Sequence, residues 1–261
     1  AMKLSLIIVH YRTRGLLKQC LKSLMSAEIK VPHEIIVVDN NSKDGTVEMI
    51  KNRFPSVRLI ANPENIGFGR ANNMAIATAQ GEYVVILNPD TCSFPGQFEK
   101  ILEYAETHSD IGVLGARLLD PDRLTQCSCY SEHKWYTPIT RRTFIGKTAF
   151  GKRENARFLM DDFDRKEIRD VDWVQGSFMM MPMRVIAEVG GFDDRYFMYF
   201  EDADLCKRIR ELGRRVVYFP HASFVHYHRR DSDGGSVLST LRRKTARYHI
   251  ASWIKYVLKW R

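Results

Sequence analysis

The chain has 261 residues, of which 44% are hydrophobic and 27% are charged, and its formal net charge is +9. This composition is typical of a globular protein and excludes a disordered or collagen-like chain. No apolar run approaches the ~20 residues of a membrane-spanning helix, and we expect no signal peptide, because the apolar stretch at residues 4–9 is too short for one.

The positive charge is concentrated near the C-terminus. Residues 229–261 contain nine Lys or Arg and two Asp or Glu, whereas the preceding residues contain 31 basic and 29 acidic side chains. The nearly neutral main domain is therefore not expected to bind nucleic acid. Five scattered cysteines without a CxxC pair favour a reducing, cytoplasmic location over a disulfide framework or a structural zinc site.

Apolar runs and helical periodicities alternate over the first 120 residues. The runs predict strands at residues 4–9, 34–38, 57–61, 83–87 and 111–116. Helical patterns lie between them at residues 16–24, 44–53, 69–79 and 98–107. Unbroken apolar strands that alternate with helices predict an α/β fold with a mainly parallel central sheet flanked by helices. Ligands of such sheets bind beyond the carboxyl ends of the strands.

The pattern changes after about residue 120. Residues 126–169 have no sustained period, so we expect an irregular segment that is flexible or contacts a substrate. A strand is predicted at residues 173–181, followed by helices at 184–189 and 201–212 and a strand at 216–219. The chain lacks GxGxxG after the first strand and a GxxxxGK[ST] loop, which excludes the common nicotinamide and P-loop sites.

Asn88, Pro89 and Asp90 directly follow the most apolar predicted strand. A carboxylate at this edge suits a divalent cation such as Mg²⁺ or Mn²⁺, which proteins bind through one or two carboxylates and substrate phosphates. Asp90 could equally cap the turn that begins at Thr91. Position alone does not decide between the two roles.

Glu201 and Asp202 open a predicted helix and lie on either side of its apolar stripe, which includes Leu205. Asp204 is expected to point outward. Acidic residues in a first helical turn can simply stabilise the helix dipole. The inward direction of the pair and the aromatic-rich run at 196–200 favour a general base in a pocket.

Three histidines follow the last predicted strand: His221, His226 and His228. In an extended segment His226 and His228 share one face, which would suit a metal site. Either of them could also be an ordinary core or surface side chain. No HExxH motif supports a zinc enzyme.

The last predicted helix has an apolar stripe with basic residues beside it and upstream of it. The stripe is formed by Ile250, Trp253, Ile254, Val257 and Leu258, and the basic residues include Arg242, Arg243, Lys244, Arg247, Lys255 and Lys259. This pattern fits a helix on an anionic membrane surface. It also fits a final helix that packs on the domain, and the two can coexist.

The ordered set of motifs resembles the family 2 inverting glycosyltransferases of the GT-A fold, particularly the bacterial rhamnosyltransferase-like branch. The matching stretches, across residues 3–228, are IIVHYR, EIIVVDNNSKDGT, NPENIGFGRANNMAI, GEYVVILNPDT, DWVQGSFMMMP, VGGFDDRYFMYFEDADLCKRI and YFPHASFVHYH. The resemblance implies a glycosyltransferase domain over 1–228, with a nucleotide-binding half at about 1–120 and an acceptor half at about 121–228. A basic helical extension would follow at 229–261.

The resemblance also implies where a nucleotide-sugar donor would bind. His10, Tyr11, Asp39 and Asn41 would contact the nucleoside, and Asn88-Pro89-Asp90 would stand at the family's DxD motif beside the diphosphate. Asn88 replaces the first aspartate of that motif, which weakens the expected metal site.

Further roles follow from the same resemblance. Asp90 and His226 would bind the cation, Mg²⁺ or Mn²⁺. Asp202 would be the base, with Glu201 as its neighbour or substitute. The acceptor, a glycan or a lipid-linked sugar, would meet Trp173, Gly176 and Ser177 and the segment at 126–169.

The predicted function is sugar transfer from dTDP-rhamnose or a UDP-sugar in cell-envelope polysaccharide synthesis. It would take place in the cytoplasm or at the inner face of the plasma membrane. A sugar nucleotidyltransferase and a non-catalytic nucleotide-sugar-binding protein are the alternatives. The former would need a glycine-rich basic loop after the first strand, and the latter has no use for an inward Glu201-Asp202 pair. The oligomeric state stays open.

Overall fold

The computed structural model describes residues 1–227 and 244–261. Its strands are β1 (Leu4–His10), β2 (His33–Asp39), β3 (Arg58–Ala61), β4 (Tyr83–Leu87), β5 (Thr91–Cys92), β6 (Ile111–Leu119), β7 (Cys129–Tyr130), β8 (Arg169–Asp170), β9 (Trp173–Val174), β10 (Phe178–Pro182) and β11 (Arg215–His226). Its helices are α1 (Arg14–Ser26), α2 (Thr46–Arg53), α3 (Phe68–Ile76), α4 (Gln97–Thr107), α5 (Thr137–Arg142), α6 (Ala149–Leu159), α7 (Met183–Val189), α8 (Glu201–Glu211) and α9 (Lys244–Lys259).

The first four long strands form the parallel half of the main sheet, in the order β3-β2-β1-β4. β1 pairs in parallel with both β2 and β4 and is buried along its whole length. Its side chains alternate between two cores. Leu6 and Ile8 pack in the core that includes residues of α1, α2 and α4, whereas Ile7 and Val9 pack in the core that includes residues of α3, α7 and α8. The predicted α/β fold with helices on both faces is confirmed.

The second half of the main sheet is mixed. β10 lies between β4 and β6 and runs antiparallel to both, and β11 is parallel to β6. The single strand predicted at 173–181 is wrong, because the chain forms β9, turns at residues 175–177 and then forms β10. The turn places residues 175–177 at the carboxyl end of β4.

The segment at 126–169 is ordered, which corrects the expectation of an irregular region. It contains β7, α5, a 3-10 turn at Phe144–Lys147 and α6. Thr148 caps α6 by accepting a hydrogen bond from the Gly151 amide at 3.1 Å. Glu154 is buried and binds Thr137 and Arg157, which ties α6 to α5. Because α5 and α6 are joined by polar side chains, the sequence of this segment shows little apolar periodicity.

Helix α9 packs on the domain, but not through the stripe of aliphatic residues. Ala246, Ser252 and Tyr256 are buried, whereas Ile250, Ile254 and Leu258 are 36%, 48% and 60% exposed. Tyr256 lies in an aromatic cluster with Tyr196 and Phe200. The aliphatic stripe therefore faces away from the core.

Asp204 is the polar anchor of this contact. Arg208 Nε lies 2.8 Å from Asp204 Oδ2, and the expected outward direction of Asp204 is wrong, since its side chain is fully buried. Its Oδ1 atom is 2.7 Å from Lys259 Nζ and accepts a hydrogen bond from Trp260 Nε1 at 2.9 Å. A buried carboxylate is thus paired with cations from two helices.

No helix within residues 1–227 or 244–261 is both long and apolar enough to cross a bilayer. The predicted boundary between 228 and 229, together with His228, Arg242 and Arg243, lies outside the described residues.

We expect Asp204→Asn to lower the free energy of unfolding by about 3–5 kcal/mol, because it removes the buried carboxylate that pairs with Arg208 and shares Lys259 with Asp193. Urea unfolding measures the loss. The exposed Asp161→Asn is the control and should change stability by less than about 0.5 kcal/mol. Equal stabilities of the two variants would contradict the anchoring role.

Candidate active site

A crevice is expected where the sheet changes winding direction, at the carboxyl ends of β1 and β4. The chain passes from β1 to β2 on one side and crosses from β3 to β4 on the other. His10 ends β1 opposite Asp39, which ends β2, and residues 88–90 follow β4. The fold therefore gathers the predicted donor-binding residues at one edge.

Asp39 is 4% exposed at this edge. Its Oδ2 atom accepts a long hydrogen bond from the Ser42 amide at 3.4 Å, and its Oδ1 atom has no hydrogen-bond partner among the described residues. A buried carboxylate oxygen without a partner costs free energy unless a ligand or water donates to it. Asp39 is thus prepared to accept a hydrogen bond from a ligand.

His10 lies beside Asp39 and is held by two threonine hydroxyls. Its Nδ1 atom is 3.0 Å from Thr13 Oγ1 and its Nε2 atom is 2.9 Å from Thr46 Oγ1, while Asp39 Oδ1 is 3.8 Å from Nε2. Burial lowers the pKa of His10, although the carboxylates of Asp44 and Asp39 oppose the shift. His10 is fully buried, and both of its ring nitrogens lie within hydrogen-bond distance of threonine hydroxyls.

A cavity of about 470 Å³ adjoins Asp39 and is also lined by Asn41, Lys43 and Asn62. This volume is within the range of small-molecule sites. Asn41, two residues after the end of β2, has a left-handed backbone with φ of 63°. Tyr11 is 40% exposed beside β1. Of the predicted donor residues, Asp39 and Asn41 line this opening.

Asn88 is held by the turn between β9 and β10. Its side-chain amide donates to Ser177 Oγ at 3.1 Å, and its backbone N–H donates to the Ser177 carbonyl at 3.2 Å. The first position of the motif is therefore engaged with a predicted acceptor residue. Asn88 links the two halves of the site.

Asp90 and His226 are brought together by the pairing of β5 with β11, in which His226 stands opposite Thr91. His226 Nε2 is 3.3 Å from Asp90 Oδ1. Gln126 uses its amide nitrogen to donate to Asp120, so its carbonyl oxygen must accept from His226 Nδ1, at 2.9 Å. Nδ1 of His226 therefore carries a proton, and Nε2 is the ring nitrogen that lies nearer to Asp90.

These atoms fit a divalent cation in part. Asp90 Oδ1 is a buried atom with no hydrogen-bond partner among the described residues, and it lies 3.3 Å from Nε2 of His226. No cluster of three His, Cys, Asp or Glu side chains with metal-binding geometry occurs within residues 1–227 and 244–261. A cation here would need oxygen atoms from a bound diphosphate to complete its coordination.

Glu201 and Asp202 lie at the start of α8, beside the β9–β10 turn. Asp202 Oδ2 accepts a hydrogen bond from the Gly176 amide at 3.0 Å, and Oδ1 accepts from the Ala203 amide at 2.8 Å. Burial raises the pKa of both carboxyls; Asp202 raises that of Glu201 further, whereas the two amides oppose the shift at Asp202. Asp202 is consequently the more easily ionised of the two and is held in a fixed direction.

The residues just before α8 adopt an uncommon backbone. Tyr199 and Phe200 have φ values of 72° and 67°, which cost of order 1–3 kcal/mol each for bulky side chains. The carbonyl of Phe197 accepts a hydrogen bond from the Phe68 amide at 2.9 Å, which ties this run to the start of α3. The aromatic run therefore fixes where α8 begins and where Asp202 points.

Among the predicted acceptor residues, Trp173 belongs to an aromatic stack. Its ring centroid is 4.4 Å from that of Tyr130 and 5.2 Å from that of His133. Gly176 contacts Asp202 through its amide, and Ser177 is buried against Asn88. Trp173 is the only one of the three with a large side chain, and it is partly buried.

Two residues of the site escaped the sequence interpretation. Gln126, which orients His226, lies 100 residues away from it in the chain. Gly67 has φ of 89°, and a Cβ atom there would lie 2.4 Å from the Phe197 carbonyl oxygen. The Gly-x-Gly after β3 is visible in the sequence, but the need for glycine at position 67 follows only from its long-range contact with Phe197.

The chain is similar in sequence to known glycosyltransferases. The model of the family described as "Glycosyl transferase family 2" matches residues 5–166. The chain is 30% identical to the N-acetylglucosaminyl-diphospho-decaprenol L-rhamnosyltransferase of Mycobacterium tuberculosis, over 98% of this chain and 88% of that protein. It is 27% identical to the rhamnosyltransferase WbbL of Escherichia coli K12, over 97% of this chain and 92% of that protein.

A solved structure has the same fold. The mannosyltransferase PcManGT from Pyrobaculum calidifontis, in complex with GDP-Man and Mn²⁺, superposes with a TM-score of 0.63 at 18% identity over 97% of this chain. Our chain spans 64% of the length of that solved chain. The likeness confirms the GT-A fold expected from the sequence.

Gly67→Ala should destabilise the protein more than Gly96→Ala. Both glycines have positive φ, but a Cβ at Gly96 meets no atom within 4 Å, whereas one at Gly67 collides with the Phe197 carbonyl. Thermal unfolding of both variants separates the clash from the shared backbone strain, and we expect an extra loss of about 1–3 kcal/mol for Gly67→Ala. Equal losses would contradict the tie between α3 and the aromatic run.

Proposed function

The chain belongs to glycosyl transferase family 2, and from this premise we propose that it transfers L-rhamnose from dTDP-rhamnose to a lipid-linked acceptor, with inversion. One observation supports this most strongly: a continuous path of contacts joins the cation-binding turn to the base. Asp90 follows Asn88 in the turn, Asn88 binds Ser177, and Gly176 binds Asp202. A donor diphosphate and an acceptor hydroxyl can therefore meet across the β9–β10 turn. The family match also favours this function over the nucleotidyltransferase alternative.

The identity of the sugar is inferred from the relatives. Two of them are named as rhamnosyltransferases and align over nearly the whole chain. A UDP-sugar is the alternative donor. Thermal-shift titrations with dTDP, UDP and GDP test the nucleotide directly, because a ligand that binds only the folded state stabilises it by about 2.7 kcal/mol at a hundredfold excess over Kd.

Asp202 would act as the general base. Its carboxylate removes the proton from the acceptor hydroxyl while that oxygen attacks the anomeric carbon from the face opposite the nucleotide. The bond between the anomeric carbon and the diphosphate oxygen breaks, and its electron pair leaves with the nucleoside diphosphate. The raised pKa of Asp202 strengthens it as a base, and the Gly176 amide keeps one oxygen fixed.

The donor would lie between the cavity at Asp39 and the turn at Asp90. Asp39 Oδ1 would accept a hydrogen bond from the nucleoside, since no residue in the described part of the chain donates to it. Asp90 and His226 would hold a divalent cation, Mg²⁺ or Mn²⁺, with the diphosphate oxygens. When bound, such an ion stabilises the negative charge on the leaving group.

The acceptor would be a sugar on a lipid diphosphate. The mycobacterial relative is named for a diphospho-decaprenol acceptor, and the Trp173 stack offers an aromatic wall beside Asp202. We place the reaction in cell-envelope polysaccharide synthesis, in the cytoplasm or at the inner face of the plasma membrane.

Asp202→Asn should lower turnover by about 10²–10⁴-fold, the usual contribution of a general base. Donor binding, followed by the thermal shift with the nucleotide, should survive, because the carboxamide keeps the shape of the side chain. Transfer is measured with dTDP-rhamnose and a short-chain lipid-linked acceptor. Turnover within a few-fold of the unaltered protein would rule out Asp202 as the base.

Gln126→Leu should weaken Mn²⁺ binding about 10–100-fold, since the residue that orients a ligating histidine typically contributes that much. Titration calorimetry with Mn²⁺ in the presence of dTDP gives the affinity. Gln80→Leu, at an exposed position, is the matched control. If Gln126→Leu and Gln80→Leu bind Mn²⁺ equally well, His226 does not ligate the ion in the orientation described.

A further inference from the structure

Six of the twelve large apolar side chains that are exposed within residues 1–227 and 244–261 belong to two segments. The first segment, residues 134–153, contains α5, the 3-10 turn and the start of α6. The second, residues 244–261, contains α9. The six side chains are Trp135, Phe144, Phe150, Ile250, Ile254 and Leu258, and Phe144 is 78% exposed.

The two segments form one continuous surface. Trp253 of α9 donates a hydrogen bond from its indole nitrogen to the Trp135 carbonyl at 2.9 Å. The ring of Tyr136 is 5.3 Å from that of Trp135 and 5.2 Å from that of Phe150. We call residues 134–153 and 244–261 together the docking surface.

The docking surface accounts for the entire net positive charge of the protein. Its 38 residues include eleven Lys or Arg and no Asp or Glu, whereas the other 223 residues have 29 basic and 31 acidic side chains. Arg141, Arg142, Lys147, Lys152 and Arg153 are all exposed. Only Lys259 of the eleven is used in the anchor to Asp204.

The arrangement of α9 matches that of a helix lying in an interface. Ile250, Ile254 and Leu258 are spaced four residues apart and therefore share one face. Arg247 is exposed and projects within about 60° of the apolar stripe, and the exposed Arg261 follows the end of the helix. Apolar side chains flanked by long cations let the former enter the acyl boundary while the latter reach the headgroups.

We propose that the docking surface binds the protein to an anionic lipid bilayer. Its charge is complementary to acidic headgroups, and exposed Trp and Phe side chains are typical of the membrane–water boundary. A second copy of the chain fits this surface poorly, because it would bring eleven positive charges against eleven. The purpose of this surface, delivery of the lipid-linked acceptor, rests on the proposed function.

The position of the ring stack that contains Trp173 and His133 agrees with this assignment. His133 immediately precedes the first segment, and its ring is 5.2 Å from Trp173 and 6.0 Å from Tyr256 of α9. The ring stack that contains Trp173 is thus continuous with the docking surface. A polyprenyl acceptor held in the bilayer could present its sugar to Asp202 without leaving the lipid.

Co-sedimentation of the full chain with vesicles tests the proposal without donor or acceptor. We expect binding to equimolar phosphatidylglycerol and phosphatidylcholine, and little to phosphatidylcholine alone. Phe144→Ser with Phe150→Ser, and separately Ile254→Ser with Leu258→Ser, should each weaken binding at least tenfold, since burial of one such side chain is equivalent to about a tenfold change or more. The matched control is Leu124→Ser, because Leu124 is 64% exposed outside the docking surface.

Binding of the unaltered chain that is indifferent to phosphatidylglycerol, or double variants that bind as well as Leu124→Ser, would overturn the proposal. A dimer of the unaltered chain in sedimentation that the double variants dissociate would also overturn it, since a second copy would then occupy the docking surface. Release of the protein from the vesicles by RNA would overturn it as well. Transfer assays separate this result from the proposed function. Double variants should lose transfer to acceptor in vesicles but retain it with a water-soluble acceptor, whereas failure of both assays in the unaltered chain would count against the proposed function alone.

Discussion

The antiparallel insertion of β10 between β4 and β6 is the constraint on which the site depends. Because β10 runs against β4, its first residue, Phe178, stands opposite Leu87, the last residue of β4. The turn before β10 consequently lies at the same edge as the residues after β4. A parallel strand in this place would put that turn at the opposite edge of the sheet, about 17 Å away for a five-residue strand. The amide that holds Asp202 and the side chain that holds Asn88 both come from this turn.

The parts of the fold that depend on local pattern could be predicted from the sequence. Strands buried on both faces need unbroken apolar runs, which the sequence shows. The polar residues at or just after their carboxyl ends, such as Asp39 and Asp90, could be located from these runs. The environment of α9 could not be predicted, because hydropathy assigns lysine to the surface and isoleucine to the core. Asp204 reverses that assignment: a buried carboxylate draws Lys259 inward and turns Ile254 toward solvent. Such a rotation depends on a partner 55 residues away.

Two carboxylates in the first turn of helix α8 make different contacts. Asp202 faces the β9–β10 turn, whereas Asp204, two residues later and on another side of the helix, holds α9 through Lys259 and Trp260. The left-handed residues Tyr199 and Phe200 set the direction of the first turn, and their backbone strain is offset by the aromatic packing of Phe200 against Tyr256. The C-terminal helix is therefore structurally coupled to the carboxylate that we infer to be the base.

The segregation of charge between two segments and the rest of the chain makes the molecule a strong electric dipole. Such a dipole experiences a torque near a charged plane, and the torque acts over about one Debye length, ~8 Å at physiological ionic strength. Rotational alignment would then precede contact, so most encounters with an acidic surface would begin in a single orientation. The rate of productive encounters would fall as salt shortens that range, even where the final contacts stay the same.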